Sequence, residues 1–65
     1  MNDEEKQILS EIINALYSQG YQPYNQIYGY VKTSNELYIT RKDDVRRKIK
    51  TLDKTVLEQY LKENV

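Results

Sequence analysis

The sequence predicts a small all-α domain of four helices, and two observations carry that prediction. Apolar residues recur at helical spacing in four separate stretches: Ile8, Leu9, Ile12, Ile13 and Leu16; Tyr24, Ile27, Tyr28 and Val31; Val45, Ile49 and Leu52; and Val56, Leu57, Tyr60 and Leu61. Breaks separate them at Gly20 and Pro23, at Thr33-Ser34-Asn35, and at Asp53. No repeat, low-complexity tract or linker interrupts the 65 residues, so residues 1–65 read as a single helical domain.

In the first helix, Asn2 and Glu5 have the spacing of a capping box, and Asp3, Glu4 and Glu5 complement the positive end of the helix dipole. Tyr17 extends its apolar stripe, and Gly20 ends it in the left-handed conformation. The second helix runs from about Pro23, a first-turn residue, to Lys32. Tyr24, Ile27, Tyr28 and Val31 share one face, with Asn25 and Gln26 hydrogen-bonding locally at its start. A glycine inside a helix costs roughly 1 kcal/mol against alanine. Gly29 therefore points to close approach of another helix, at a dimer interface. Leu37-Tyr38-Ile39 reads as an extended hydrophobic connector. The third helix turns Val45, Ile49 and Leu52 inward beneath a basic exterior, with Thr40 or Asp43 as its cap. Asp53 caps a fourth helix that runs to the C-terminus.

A single core of this size rarely supplies more than about 3–5 kcal/mol. With no cysteine there is neither a disulfide nor a thiolate metal site, so self-association is the accessible way to bury more surface. The absence of histidine removes the commonest metal ligand and general base. No nucleophile–base pair, Gly-rich phosphate loop or metal-ligand spacing occurs, so neither catalysis nor a metal or cofactor is expected. No apolar run approaches the roughly 20 residues of a membrane span. The acidic start Met1-Asn2-Asp3-Glu4-Glu5 is unlike a signal peptide, and a cytoplasmic location is expected. Net charge is zero but uneven, at −3 over residues 1–20 and +4 over residues 41–50. These two segments are expected to attract each other, within or between chains.

The block Gly20-Tyr21-x-Pro23-x-Asn25-Gln26-Ile27-x-Gly29-Tyr30-Val31 resembles the IreB family of small Gram-positive regulatory phosphoproteins. The resemblance continues through Tyr38-Ile39-x-Arg41 and Asp44-Val45-Arg46 with Ile49, into Val56-Leu57-Glu58 and Tyr60-Leu61. It implies a helical homodimer that is a substrate and effector of a membrane Ser/Thr kinase with extracellular PASTA domains. That pathway governs cell-envelope stress and cephalosporin resistance, and family members regulate rather than catalyse. The chain departs from the family pattern at Gln22, where members carry asparagine, and at Thr33-Ser34-Asn35-Glu36, which lacks their Gly-Asp-Pro character. No threonine precedes Thr33, so the N-terminal phosphoacceptors of the family have no counterpart here.

These readings place a dimer or partner interface at Tyr24, Ile27, Tyr28, Gly29 and Val31. Arg41, Arg46 and Arg47 are candidates for phosphate or partner contact, because arginine grips phosphate bidentately. Thr33, Ser34 and Thr40 are the candidate phosphoacceptors, with the loop pair Thr33 and Ser34 favoured by exposure. The expected partners are a second copy, a Ser/Thr kinase and a downstream protein. The alternative is a nucleic-acid-binding helical module using the basic third helix, against which the zero net charge weighs.

Overall fold

The computed structural model describes residues 2–64, and its first helix, α1 (Asp3–Ser18), begins at the expected capping box. The Glu5 amide donates to Asn2 Oδ1 at 2.8 Å, and the Asn2 amide donates to Glu5 Oε1 at 3.0 Å. At the other end Gly20 takes φ +85°. The Tyr21 amide reaches the Leu16 carbonyl at 2.9 Å and the Gly20 amide reaches Tyr17 at 3.0 Å. Those paired bonds form a Schellman turn, which only a residue tolerant of positive φ closes without strain.

Pro23 opens α2 (Pro23–Thr33) at its first position, where a missing amide hydrogen costs nothing. Gln22 stands at the N-cap without a side-chain bond, and Ser34 ends the helix with φ +56°. Residues 36–38 differ from expectation. They form a 3-10 turn, Glu36–Tyr38, and not an extended connector, because Asn35 Oδ1 accepts the Leu37 amide at 3.0 Å and curls the chain. Leu37 and Tyr38 are left exposed while Ile39 enters the core.

A second 3-10 turn, Lys42–Asp44, leads into α3 (Val45–Lys50). Neither Thr40 nor Asp43 caps α3. Asp43 and Asp44 both adopt left-handed backbone, at φ 57° and 60°, and Asp44 occupies the cap position without a side-chain capping bond. This kink divides the basic segment and leaves α3 only six residues long. Asp53 does precede α4 (Lys54–Glu63), but it caps through its backbone carbonyl, which accepts from Val56 and Leu57. Asn64 closes α4, and both Met1 and Val65, at the limits of the expected domain and last helix, lie outside the described residues.

Helix α1 packs on α3, while α2 packs on α4 and on the first 3-10 turn. No strand occurs among the described residues. The core is aliphatic throughout: Leu9, Ile12, Leu16, Ile27, Ile39, Val45, Ile49, Leu52, Val56 and Leu57 are all buried. None of the seven tyrosines joins them. Tyr17, expected to extend the α1 stripe, is 67% exposed. A phenol keeps its hydroxyl satisfied most easily at the boundary of a core, with its ring against apolar atoms and its tip in water. The tyrosines follow that rule and form the rim.

Candidate functional site

The turn from α1 into α2 builds the most distinctive surface of the molecule. The Schellman bond at Gly20 projects Tyr21 outward, and Pro23 anchors the start of α2 in the core. One helical turn later, Asn25 lies exposed and Gln26 partly buried. Tyr38 of the first 3-10 turn faces them across a groove lined by Gly20, Tyr21, Gln22, Asn25, Gln26 and Tyr38. The groove encloses about 270 Å³ and is broadly open. That is less than the usual range of enclosed small-molecule sites, roughly 300–1,000 Å³. Its lining carries no charge, two half-exposed phenol rings and three side-chain amides.

Two contacts shape this groove. A Cβ added to Gly29 would stand 2.8 Å from Tyr38 Cδ1 and 3.3 Å from Cγ, so the glycine makes room for the base of the Tyr38 ring. The close approach expected at Gly29 is therefore made by a residue of the same chain. Gln26 does not bond locally: its Oε1 accepts the Thr40 amide at 3.2 Å, fourteen residues away, and pins the connector against α2.

On the flank of α2, Tyr24 and Tyr28 stack with ring centroids 6.1 Å apart and planes 14° from parallel. Lys32 Nζ lies 5.8 Å from the Tyr28 centroid, within cation–π range. Burial raises the Tyr60 hydroxyl above its ordinary pKa, and the nearby phenols of Tyr17 and Tyr24 add to the shift. These tyrosines share one neighbourhood at the junction of α1, α2 and α4.

The five expected interface residues separate accordingly. Tyr28 is 45% exposed and Tyr24 partly exposed, so both meet solvent. Val31 packs against the core while keeping partial exposure. Ile27 is wholly buried in the core of the chain, and Gly29 is covered by Tyr38. The inward face of α2 is set by Pro23 and Ile27 with Tyr30 and Val31 against the core, which rotates Tyr24 and Tyr28 aside.

The basic segment is also rearranged by internal contacts. Lys48 Nζ meets Glu11 at 3.5 Å, so the acidic first helix and the basic segment attract each other within one chain. Lys50 pairs with Glu36, and exposed Arg47 pairs with Asp44 at 3.2 Å. The Gln7 side chain, and Lys48 after it, hold the Glu11 carboxyl below its ordinary pKa. The Lys50 bond does the same for Glu36. Arg46 Nε donates to the Ile39 carbonyl at 2.8 Å and so fastens α3 to the connector. Arg41 remains exposed. At about 1.5 Å per residue, a six-residue helix is roughly 9 Å long. With most of its cations engaged inside the chain, α3 makes a poor groove-reading helix.

Of the candidate hydroxyls, Thr33 donates to the Gly29 carbonyl at 2.7 Å, and Ser34 shares a 3.3 Å bond with Lys54. Ser34 and Lys54 also border a small cavity of about 90 Å³ with Tyr30, Val31, Leu52 and Leu57. Thr40 Oγ1 accepts the Lys42 amide at 3.3 Å. No group of three or more His, Cys, Asp or Glu able to hold a metal occurs among the described residues. Among the described residues no helix is long and apolar enough to cross a membrane. Periodicity overlooked Tyr21, Gln22 and Tyr38 as site residues, since none lies on an apolar helix face. The available signal was the clustering of Gly20, Tyr21, Pro23, Asn25 and Gln26 in one short block. Comparison with known families finds that the model described as IreB regulatory phosphoprotein matches residues 1–65.

Proposed function

The chain belongs to the IreB family of regulatory phosphoproteins, and from that premise we propose that it regulates by protein–protein contact, without catalysis of its own. In this reading it is a cytoplasmic substrate and effector of a PASTA-type Ser/Thr kinase pathway that controls cell-envelope stress and cephalosporin resistance. The observation that carries the reading is the groove of Tyr21, Gln22, Asn25, Gln26 and Tyr38. Uncharged, open and rimmed by phenols and amides, it suits a partner's backbone and apolar side chains better than a charged metabolite or nucleic acid. Tyrosine is favoured at such surfaces because it offers area and a hydrogen bond at little entropic cost. A second copy would sit on the neighbouring flank, where Tyr24 and Tyr28 stack in the open.

Co-purification of the chain with the kinase from envelope-stressed cells, alongside its mass in solution, tests both parts. Tyr21→Ala and Asn25→Ala alter exposed groove residues and should abolish partner recovery while leaving the helical signal intact. Tyr28→Ala should convert a dimer into a monomer. Recovery of the kinase and downstream protein unchanged by both groove substitutions would refute the assignment of the groove.

A further inference from the structure

We propose that Thr40 is a phosphoacceptor of this chain, and that Arg41, Arg46 and the Lys42 backbone amide cradle its phosphate. The inference rests on the regulatory-phosphoprotein reading and names the residue through which regulation acts. Ser18, Thr33, Thr51 and Ser34, all at helix C-termini, have surroundings that oppose a phosphate. Ser18, Thr33 and Thr51 each donate to a carbonyl in a terminal helical turn or just beyond it, at 3.0, 2.7 and 2.6 Å. A phosphate there loses that bond and sits at the negative end of a helix dipole, where added negative charge destabilises. Ser34 is the C-cap of α2 and meets the same field with one cation, Lys54, beside it.

Thr40 stands outside the helices, between Arg41 and Ile39, whose carbonyl Arg46 holds. Its Oγ1 already accepts the Lys42 amide at 3.3 Å. Arg46 Nε holds the carbonyl of the preceding residue, Ile39, at 2.8 Å, which places a guanidinium beside the same stretch of backbone with its terminal nitrogens uncommitted among the described residues. Arg41 is the next residue and is exposed. Among the described residues no carboxylate lies within ion-pair distance of Arg41, Lys42 or Arg46; Asp44 pairs with Arg47, and Glu36 pairs with Lys50 while also feeling the charge of Arg46. Asp43 accepts a bond from Gln19 at 3.2 Å.

Transfer makes a bond from Thr40 Oγ1 to the γ-phosphorus of a nucleoside triphosphate and breaks the β–γ bridge. The hydroxyl proton passes to the kinase base, and the diphosphate leaves. Because Ile39 is buried, the connector must lift for the kinase to reach Thr40, which releases the Gln26 and Arg46 bonds. Once the connector reseats, the dianion gains two guanidinium partners, and the lifted state becomes less favourable. Phosphorylation thus locks one wall of the groove, since Gln26 both lines the groove and holds Thr40.

The test has two parts. Full-length protein purified from its own cells with phosphatases inhibited is mapped by mass spectrometry. Phosphate at Thr40 is expected. Phosphate confined to other hydroxyls overturns the assignment but leaves the phosphoprotein reading standing, whereas none on any residue overturns both. In parallel, the 65-residue chain is synthesised with phosphothreonine at 40 and titrated by phosphorus NMR. The second phosphate pKa, ordinarily ~6, should fall by roughly half a unit relative to the urea-unfolded chain. Arg41→Gln and Arg46→Lys should each reduce that shift, and the first keeps the Arg46–Ile39 bond as a folding control. An unshifted pKa in the folded protein would overturn the cradle.

Discussion

The basic segment around α3 and the groove at the start of α2 look alike in one respect, as dense clusters of recognition-prone residues, and the fold treats them oppositely. Along residues 41–50, Lys48, Lys50 and Arg47 take carboxylate partners inside the chain, and Arg46 takes a backbone carbonyl. At the groove, Tyr21 and Tyr38 remain about half exposed and Asn25 faces solvent. A charge finds a complementary partner over several ångströms, so a compact chain with equal numbers of both signs pairs many of its own charges. A phenol or amide needs short-range geometry to be satisfied, and a small aliphatic core offers it little. The uncharged cluster is therefore the one left available.

The sharpest way to break the contrast is to remove what supports the groove from beneath. Ile27→Ala deletes a wholly buried side chain, and such truncations cost about 2–5 kcal/mol. Since a domain of this size holds only about 3–5 kcal/mol in total, the variant should be largely unfolded at 25 °C by far-UV circular dichroism.

A smaller effect separates the groove wall from helix propensity. Gly29→Ala gains helix propensity but drives a methyl into the Tyr38 ring at 2.8 Å. Overpacking of this kind costs about 1–3 kcal/mol, so thermal stability should fall and the near-UV tyrosine signal change. In a Tyr38→Ala background the same methyl meets only the remaining Cβ of residue 38, at 3.5 Å and in ordinary contact, and its effect should reverse to a gain of up to about 1 kcal/mol. Equal losses in both backgrounds would show that Tyr38 is not what Gly29 accommodates.

On the basic side, Asp44→Gly relieves a left-handed residue at φ 60° and gives up only an exposed pair with Arg47. Left-handed backbone costs an ordinary residue roughly 1–2 kcal/mol, and less for aspartate. The variant should melt a few degrees higher by calorimetry.

The least effect is expected from the surface pairs themselves. Glu11 and Glu36 have folded pKa values below the unfolded one, so each contributes stability that is fully present above the ordinary glutamate value of about 4.3. That contribution is lost as pH falls through the lower folded value. Melting temperature followed down through the carboxylate titration, from about pH 6 to about pH 3, should show a slightly shallower decline in Lys50→Gln and Lys48→Gln. High salt should flatten the difference further.

Several features were legible from residues alone. Asn2 with Glu5, Gly20 and Pro23 specify local backbone through bonds made within a few residues, and each stands where its chemistry demanded. The block from Gly20 to Val31 also carried the family resemblance, which the match over residues 1–65 bears out. The rest was illegible for definite reasons. Tyr24, Ile27, Tyr28 and Val31 share a helical face by spacing, but which part turns inward depends on what α4 and the first 3-10 turn present to α2. Leu37-Tyr38-Ile39 is too short for periodicity to choose a conformation, and the Asn35 cap decided it.

What the sequence by itself determined is therefore local and categorical: four helices, their caps at Asn2 and Gly20, an aliphatic supply for one core, and membership of a regulatory family. These follow from propensity, φ preference and hydrophobic period, which act over a turn or two of chain. Only the tertiary structure decided that Gly29 accommodates Tyr38, that Gln26 holds Thr40, and that Lys48 meets Glu11. Each pairing joins residues nine or more positions apart. Such contacts depend on how helices are rotated about their axes, and hydrophobic period alone leaves that rotation undetermined by tens of degrees, enough to exchange a buried face for a binding one.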